Sequence, residues 1–275
     1  MPYLRDFFTA FGEKFIEKIK PGDIGGEILK AIVPSTVFTI QIGAATIRIT
    51  DATVVSWGVL AFILALAWWM GRKPERIPAK NRQVIAESLI NLLMNLCQSS
   101  GMSYKQAEKV TPFVGSIAVF ITLTNVTSFL QIPPPAKNPA FPVALALFTI
   151  LYVVFTSIRM VGLKGFWRSL TYPKPLLLPF KVLDYFIKPI SLSLRLFGNV
   201  FGAFVLMEFI SIVIPAILPG VIGLWFDLAD GILQGVIFSY LTVIYIGEVL
   251  EGAHLSAAES DEIPDKALSS AQKPI

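Results

Sequence analysis

Apolar residues are arranged along the chain in long runs, which short polar or proline-containing segments separate. Five of the runs reach the roughly 20 residues that a helix needs to cross a hydrocarbon core of about 30 Å. We therefore predict an all-α polytopic membrane protein with a membrane domain over 51–254. The predicted membrane-embedded helices cover about 52–71, 110–131, 141–160, 176–214 and 221–252.

The segment 1–50 contains no run that is long enough to span a membrane. Phe8, Phe11, Phe15 and Ile19 fall on one helical face, which predicts a short amphipathic helix on a membrane or partner surface. The later run VFTIQIGAATIRIT alternates around a small-residue turn, and this pattern predicts a β-hairpin.

Residues 81–99 predict a helix that lies at the membrane interface without crossing it, because its apolar side chains share one face. These side chains are Ile85, Leu89, Leu92, Leu93 and Leu96.

Basic residues follow the first and the third predicted spans. By the positive-inside rule both loops are cytoplasmic, so the N-terminus is predicted to be extracytoplasmic. The polar segment 255–275 is then predicted to be a disordered cytoplasmic tail. The basic residues are Arg72, Lys73, Arg76, Lys80 and Arg82 in the first loop and Arg159, Lys164, Arg168 and Lys174 in the second.

The last two predicted helices are longer than a bilayer requires, at roughly 45–60 Å each. We expect them either to tilt steeply or to break. Pro215 and Pro219 are predicted to form the hairpin between them.

The composition supports the membrane class and excludes others. The chain is 54% hydrophobic and 15% charged, whereas soluble domains carry roughly 25% charged residues. A net charge of +4 without a basic cluster argues against nucleic acid as a partner. The single Cys97 forms no internal disulfide, and we predict no cofactor and no metal site.

Arg195 is the most informative residue, because it lies in the apolar run SLSLRLFGNVFGAF with no carboxylate within ten residues on either side. A guanidinium at bilayer depth is costly and does not lose its proton. Such a charge usually marks a path for ions or substrates.

Helical projection places polar residues in one stripe on each of the last two helices. Some of these residues have an alternative interpretation. Asp184 and Lys188 lie one turn apart and are candidates for an ion pair. Glu248 lies near the cytoplasmic end of its helix, where exposure to solvent would also account for a carboxylate. The first stripe contains Asp184, Lys188, Ser191, Arg195, Asn199 and Gly202, and the second contains Asp227, Asp230, Gln234, Tyr245 and Glu248. Glu208 lies on nearly the opposite side of the first helix from Arg195.

The run ISLSLRLFGN and the later ILQGVIF resemble subunit a of the F-type ATP synthase membrane sector. The segment ITLTNVTSFLQIPP, which contains Asn125, is similar to the second span of that family. The resemblance covers roughly 52–254 and implies a subunit that packs two steeply tilted helices against a ring of c subunits, with b subunits as further partners. It also implies a protein of the bacterial plasma membrane, with no catalytic centre of its own.

The resemblance implies a role for individual residues as well. Arg195 matches the arginine that faces the ion-carrying carboxylate of each passing c subunit, and Asn199 and Gln234 match polar residues near it. The family often has an ionisable pair where this chain has Phe204 and Asp227. Glu208, one turn after Phe204, is our candidate for the missing member. The ion path predicted in this way consists of Arg195, Asn199, Glu208, Asp227, Asp230, Gln234 and Glu248.

Two other functions compete with this prediction. A self-contained secondary transporter would show internal repeats and broken helices around a midplane site, and neither is evident in the sequence. A structural scaffold would not explain why Arg195 and the carboxylate stripes are present. The choice between H⁺ and Na⁺ as the coupling ion stays open, because the rotor sets it.

Overall fold

The computed structural model describes residues 36–42, 45–72, 81–130, 132–213 and 222–271. Five of its helices are long and apolar enough to cross a membrane, so the predicted class and the predicted number of spans are confirmed. They are Asp51–Gly71, Tyr104–Leu130, Ala140–Thr171, Pro175–Met207 and Ile222–Glu259. The predicted amphipathic helix around 8–19 and the proline hairpin at 215–219 lie outside the described residues.

A β-hairpin precedes the first span, as the alternating pattern predicts. Strand β1 (Thr36–Ile42) pairs antiparallel with β2 (Ala45–Thr50). Phe38 lies opposite Ile49 and Ile40 opposite Ile47, so the apolar residues of the two strands are in register.

At the end of helix α1 (Asp51–Gly71), the guanidinium groups of Arg72 and Arg82 lie over the rings of Trp68 and Trp69. The guanidinium of Arg82, the second residue of α2 (Asn81–Ser99), donates hydrogen bonds to the carbonyls of Trp69 and Arg72. The last carbonyls of a helix lack partners within the helix, so Arg82 satisfies groups that α1 leaves open. The helix predicted over 81–99 is present as α2, and it is not among the five helices that could cross a membrane.

The two middle helices overlap the segments predicted as spans, 110–131 and 141–160, and one of these helices contains a break. Helix α3 (Tyr104–Val126) passes into a 3₁₀ turn at Thr127–Leu130. Helix α4 (Ala140–Thr171) is interrupted at Gly162, whose φ of 75° lies in the region that favours glycine. The break falls two residues after the predicted end of that span.

The last helices are long, as expected. Helix α5 (Leu178–Val213) contains 36 residues and is about 54 Å long, and Pro189 within it does not end it. A π-helical segment (Trp225–Asp230) leads into α6 (Gly231–Ala271). The tail predicted to be disordered is therefore helical as far as Ala271, because α6 continues beyond the apolar run.

The chain divides into two compact groups of residues. Of the described residues, the first group contains those within 36–63, 120–142 and 193–234, and the second contains those within 64–119, 143–192 and 235–271. The second group has a buried apolar core, to which α2, α3, α4 and α6 contribute. Its fully buried members include Cys97, Val110, Val114, Val153, Val243, Ile246 and Leu250.

Candidate ion path

Arg195 lies in α5, and its side chain is exposed. Its neighbours Ile190 and Leu194 are 55% and 61% exposed, whereas Leu192 and Leu196 are buried. Within the described part of the chain, no carboxylate forms an ion pair with Arg195. The sequence shows no carboxylate close to Arg195 along the chain. Among the described residues that are distant in sequence, none forms an ion pair with it either.

The surface beside Arg195 is open as well. A Cβ atom added at Gly198 or at Gly202 would meet no other atom within 4 Å. Small residues on a membrane helix allow a second helix to approach its backbone closely. This side of α5, which we call the open face (Ser191, Arg195, Gly198 and Gly202), has the form of a surface for another helix.

Asn199 and Asp230 are brought together by the fold. Their side chains interact, and the amide of Asn199 is the group that can donate a hydrogen bond to the carboxylate. Asp230 is the last residue of the π-helical segment, and the 3₁₀ turn Thr127–Leu130 packs beside that segment. Two of the predicted path residues thus come from different helices and meet at a π-turn, a feature that is frequent at functional sites.

Gln234 and Asn125 are buried polar residues in the same group of segments. Gln234 is 5% and Asn125 6% exposed, and neither polar atom of the Asn125 amide has a hydrogen-bond partner among the described residues. Gly231 packs tightly here, because a Cβ at this position would lie 3.1 Å from the Cβ of Asn125. The buried amide of Asn125, unpaired among the described residues, is a polar feature that the sequence does not reveal.

Lys188 and Glu248 form an ion pair between α5 and α6, with 2.7 Å between Nζ and Oε2. The candidate pair of Lys188 with Asp184 is therefore not the one formed, because α6 brings a carboxylate closer to the ammonium. Glu248 is neither a free helix-end residue nor a deeply buried one, since its side chain is 46% exposed.

Glu208 and Asp227 complete the predicted set. Both lie in helical backbone, in α5 and in the π-helical segment, and their side chains lie outside the described residues. Among the described residues, no group of three or more His, Cys, Asp or Glu side chains could hold a metal ion.

The fold and these residues define a multi-pass membrane protein of the ion-transport class. Residues 53–247 match the model of the family described as ATP synthase A chain. The chain belongs to this family, and so it is a subunit of the membrane sector of an ATP synthase in the bacterial plasma membrane, where it assembles with other subunits.

Curated relatives agree with this assignment. The "ATP synthase subunit a" of Moorella thermoacetica is 31% identical over 207 residues, which cover 75% of this chain and 93% of the relative. The "ATP synthase subunit a 1" of Crocosphaera subtropica is 31% identical over 199 residues, or 71% of this chain and 85% of the relative. The protein of Propionigenium modestum named "ATP synthase subunit a, sodium ion specific" is 28% identical over 214 residues, which cover 72% of this chain and 73% of the relative.

Proposed function

We propose that this subunit provides two ion half-channels and the essential arginine, Arg195, which couple ion movement across the membrane to rotation of a c-subunit ring and to ATP synthesis. The observation that supports the proposal best is the open face, where an arginine among exposed apolar side chains has no ion-pair partner among the described residues. Such a charge suits a carboxylate that belongs to another subunit.

The mechanism follows from electrostatics. A rotor carboxylate must be neutral, either protonated or ion-bound, to move through lipid, because a bare charge there is very costly. Beside Arg195 the ionised form is favoured, since an adjacent opposite charge lowers the pKa of a carboxylate. The ion is released into one half-channel, and the site is reloaded from the other. The fixed charge of Arg195 also blocks direct leakage between the two channels.

The remaining path residues take roles that fit their positions. Asn199, Asp230 and Gln234 supply polar groups along α5 and α6, and Glu208 and Asp227 are the candidates for the ionisable pair of one half-channel. Glu248 lies at the cytoplasmic end of the path. The chain is non-catalytic, with its N-terminus extracytoplasmic and its C-terminus cytoplasmic, and b subunits hold it against the ring.

The central test is Arg195→Ala in the assembled complex, with ATP-driven ion pumping measured in inverted vesicles. We expect coupled pumping to be lost while the complex still assembles with its c ring. Normal coupled pumping in this variant would refute the mechanism. Purification of the chain without a c ring or b subunits would favour the secondary transporter instead.

The half-channel assignment has its own test. Glu208→Gln and Asp227→Asn should each slow pumping, because each removes an ionisable group from the path. Glu87→Gln is a matched control, since Glu87 is exposed on α2 and its contact is a hydrogen bond from Gln83. If neither path variant differs from the control, the assignment is wrong. Stimulation of ATP hydrolysis by Na⁺ would identify the coupling ion.

A further inference from the structure

The ion pair between Lys188 and Glu248 is unequal in its exposure to solvent. The Lys188 side chain is 14% exposed and the Glu248 side chain is 46% exposed, while Nζ and Oε2 are 2.7 Å apart. The ammonium is thus largely enclosed by protein, whereas the carboxylate can still meet solvent or a passing ion.

Two tyrosine rings hold the ammonium in place. Nζ lies 4.7 Å from the ring centroid of Tyr245 and 5.2 Å from that of Tyr185, within the range of cation–π attraction. Each tyrosine stands three residues before the charged residue of its own helix, a spacing that puts both side chains on one face. Phe166 packs against Tyr185 with 6.1 Å between the centroids. Lys188 is therefore more fixed than a lysine on an open surface.

Glu248 also lines a cavity of about 750 Å³. The titratable side chains on the cavity wall are Glu248, Glu251, His254 and Tyr240, all from α6. The opposite wall is the turn that joins α2 and α3, where Gly247 packs directly on the carbonyl oxygen of Ser100. One side chain, Glu248, therefore connects the enclosed ammonium with the cavity.

We propose that Lys188 is a positioning residue of the ion path: it orients the Glu248 carboxylate on the cavity wall and offsets part of its charge, and so it sets how strongly the cavity attracts cations. With Lys188 in place, the cavity collects cations and still releases them. The inference rests on the proposed function, in which Glu248 belongs to the path, and it adds a residue that acts through Glu248.

The charge of the cavity can be measured directly in the assembled complex by thiol labelling. Leu255 lines the cavity and is 45% exposed, so Leu255→Cys places a reporter there. The native Cys97 is fully buried, and burial raises the pKa of its thiol, so it contributes little background. The readout is the ratio of the labelling rates of a cationic and an anionic methanethiosulfonate of similar size.

In the Leu255→Cys background, Lys188→Gln should raise the cation-to-anion ratio about two- to fivefold, as expected for the loss of a partly exposed opposite charge. Glu248→Gln should lower the ratio by a similar factor, and Lys188→Arg should preserve it. The matched control is Lys181→Gln. Lys181 lies two turns earlier on α5 and donates to the backbone carbonyl of Ser169, so its removal should leave the ratio unchanged.

An unchanged ratio in Lys188→Gln would overturn the inference, and so would an equal change in Lys181→Gln. If Lys188→Gln does not assemble, Lys188→Met decides, because it keeps most of the length of the side chain and removes its charge; a ratio unchanged in that variant would overturn the inference. Labelling requires no pumping, so this inference can fail while Arg195→Ala still abolishes coupling. It can also stand if the proposed role of Arg195 fails.

Discussion

Lys188 and Arg195 are two cations on one helix, seven residues and about two turns apart, and their surroundings are opposite in kind. Lys188 has a carboxylate 2.7 Å away and two aromatic rings around it. Arg195 has exposed apolar neighbours and no ion-pair partner in the described part of the chain. The chain thus supplies a counter-ion for the first charge, whereas none of its described residues forms an ion pair with the second.

The glycines near the two charges show the same contrast. Beside Arg195, an added Cβ at Gly198 would meet nothing within 4 Å. Beside Glu248, an added Cβ at Gly247 would overlap the carbonyl oxygen of Ser100. The region around Lys188 is thus packed within the chain, whereas the open face offers space for a partner.

The largest difference should appear when Arg195 is replaced by lysine and, in a separate variant, Lys188 is replaced by arginine. Arg195→Lys should reduce ATP-driven pumping by at least about tenfold, because an ammonium lacks the planar donor fork of arginine and loses its proton more easily when desolvated. Lys188→Arg should keep more than about half of the pumping rate, since its partner needs only a fixed positive charge. Equal losses in the two variants would remove the distinction between these charges.

A smaller effect should appear in the stability of the chain. Gly247→Ala should lower the free energy of unfolding by about 1–3 kcal/mol, because overpacking forces a backbone shift at Ser100. Gly198→Ala should leave it unchanged or raise it by up to about 1 kcal/mol, since alanine favours the helix and finds open space. Thermal denaturation of the detergent-solubilised chain measures both variants.

Pumping by the assembled complex gives a second test of Gly198. Gly198→Ala should slow pumping although it does not destabilise the chain, because the new methyl group occupies the open face. Normal pumping in Gly198→Ala would show that no partner approaches this face closely.

The smallest effect concerns the amide of Asn125, which is buried and has no hydrogen-bond partner among the described residues. An unsatisfied buried amide costs about 1–3 kcal/mol, so Asn125→Leu, which is similar in size, should stabilise the chain by up to about 1 kcal/mol. Pumping should nevertheless fall if the amide serves the ion path. Loss of stability in this variant would instead show that the Asn125 side chain stabilises the fold.

Much of the fold could be predicted from the sequence because membranes impose strong constraints. Long apolar runs predict the five spans, and strict alternation predicts the β-hairpin that β1 and β2 form. The unusual position of Arg195 is also evident from sequence, because a charge within an apolar run requires no knowledge of tertiary contacts. The predicted end of the third span lies close to the break at Gly162 for the same reason.

Contacts between helices could not be predicted in this way. The sequence offers Asp184 as a partner for Lys188, one turn away, but the pair forms with Glu248, 60 residues away. The π-helical segment leaves no mark on the hydrophobic pattern, because apolar residues suit both helix types. Projection at 100° per residue therefore does not hold for Asp227 and Asp230, which lie inside that segment.

The contacts of Lys188 and Lys181 have a mechanical consequence. Lys181 donates a hydrogen bond to the backbone of α4 at Ser169, and Lys188 pairs with Glu248 of α6, so two long side chains link α5 to other helices. Both contacts lie at a distance from the axis of α5, and together they resist rotation of α5 about that axis. Under the proposed function, a helix that does not roll keeps Arg195 pointing in one direction while each rotor subunit passes it.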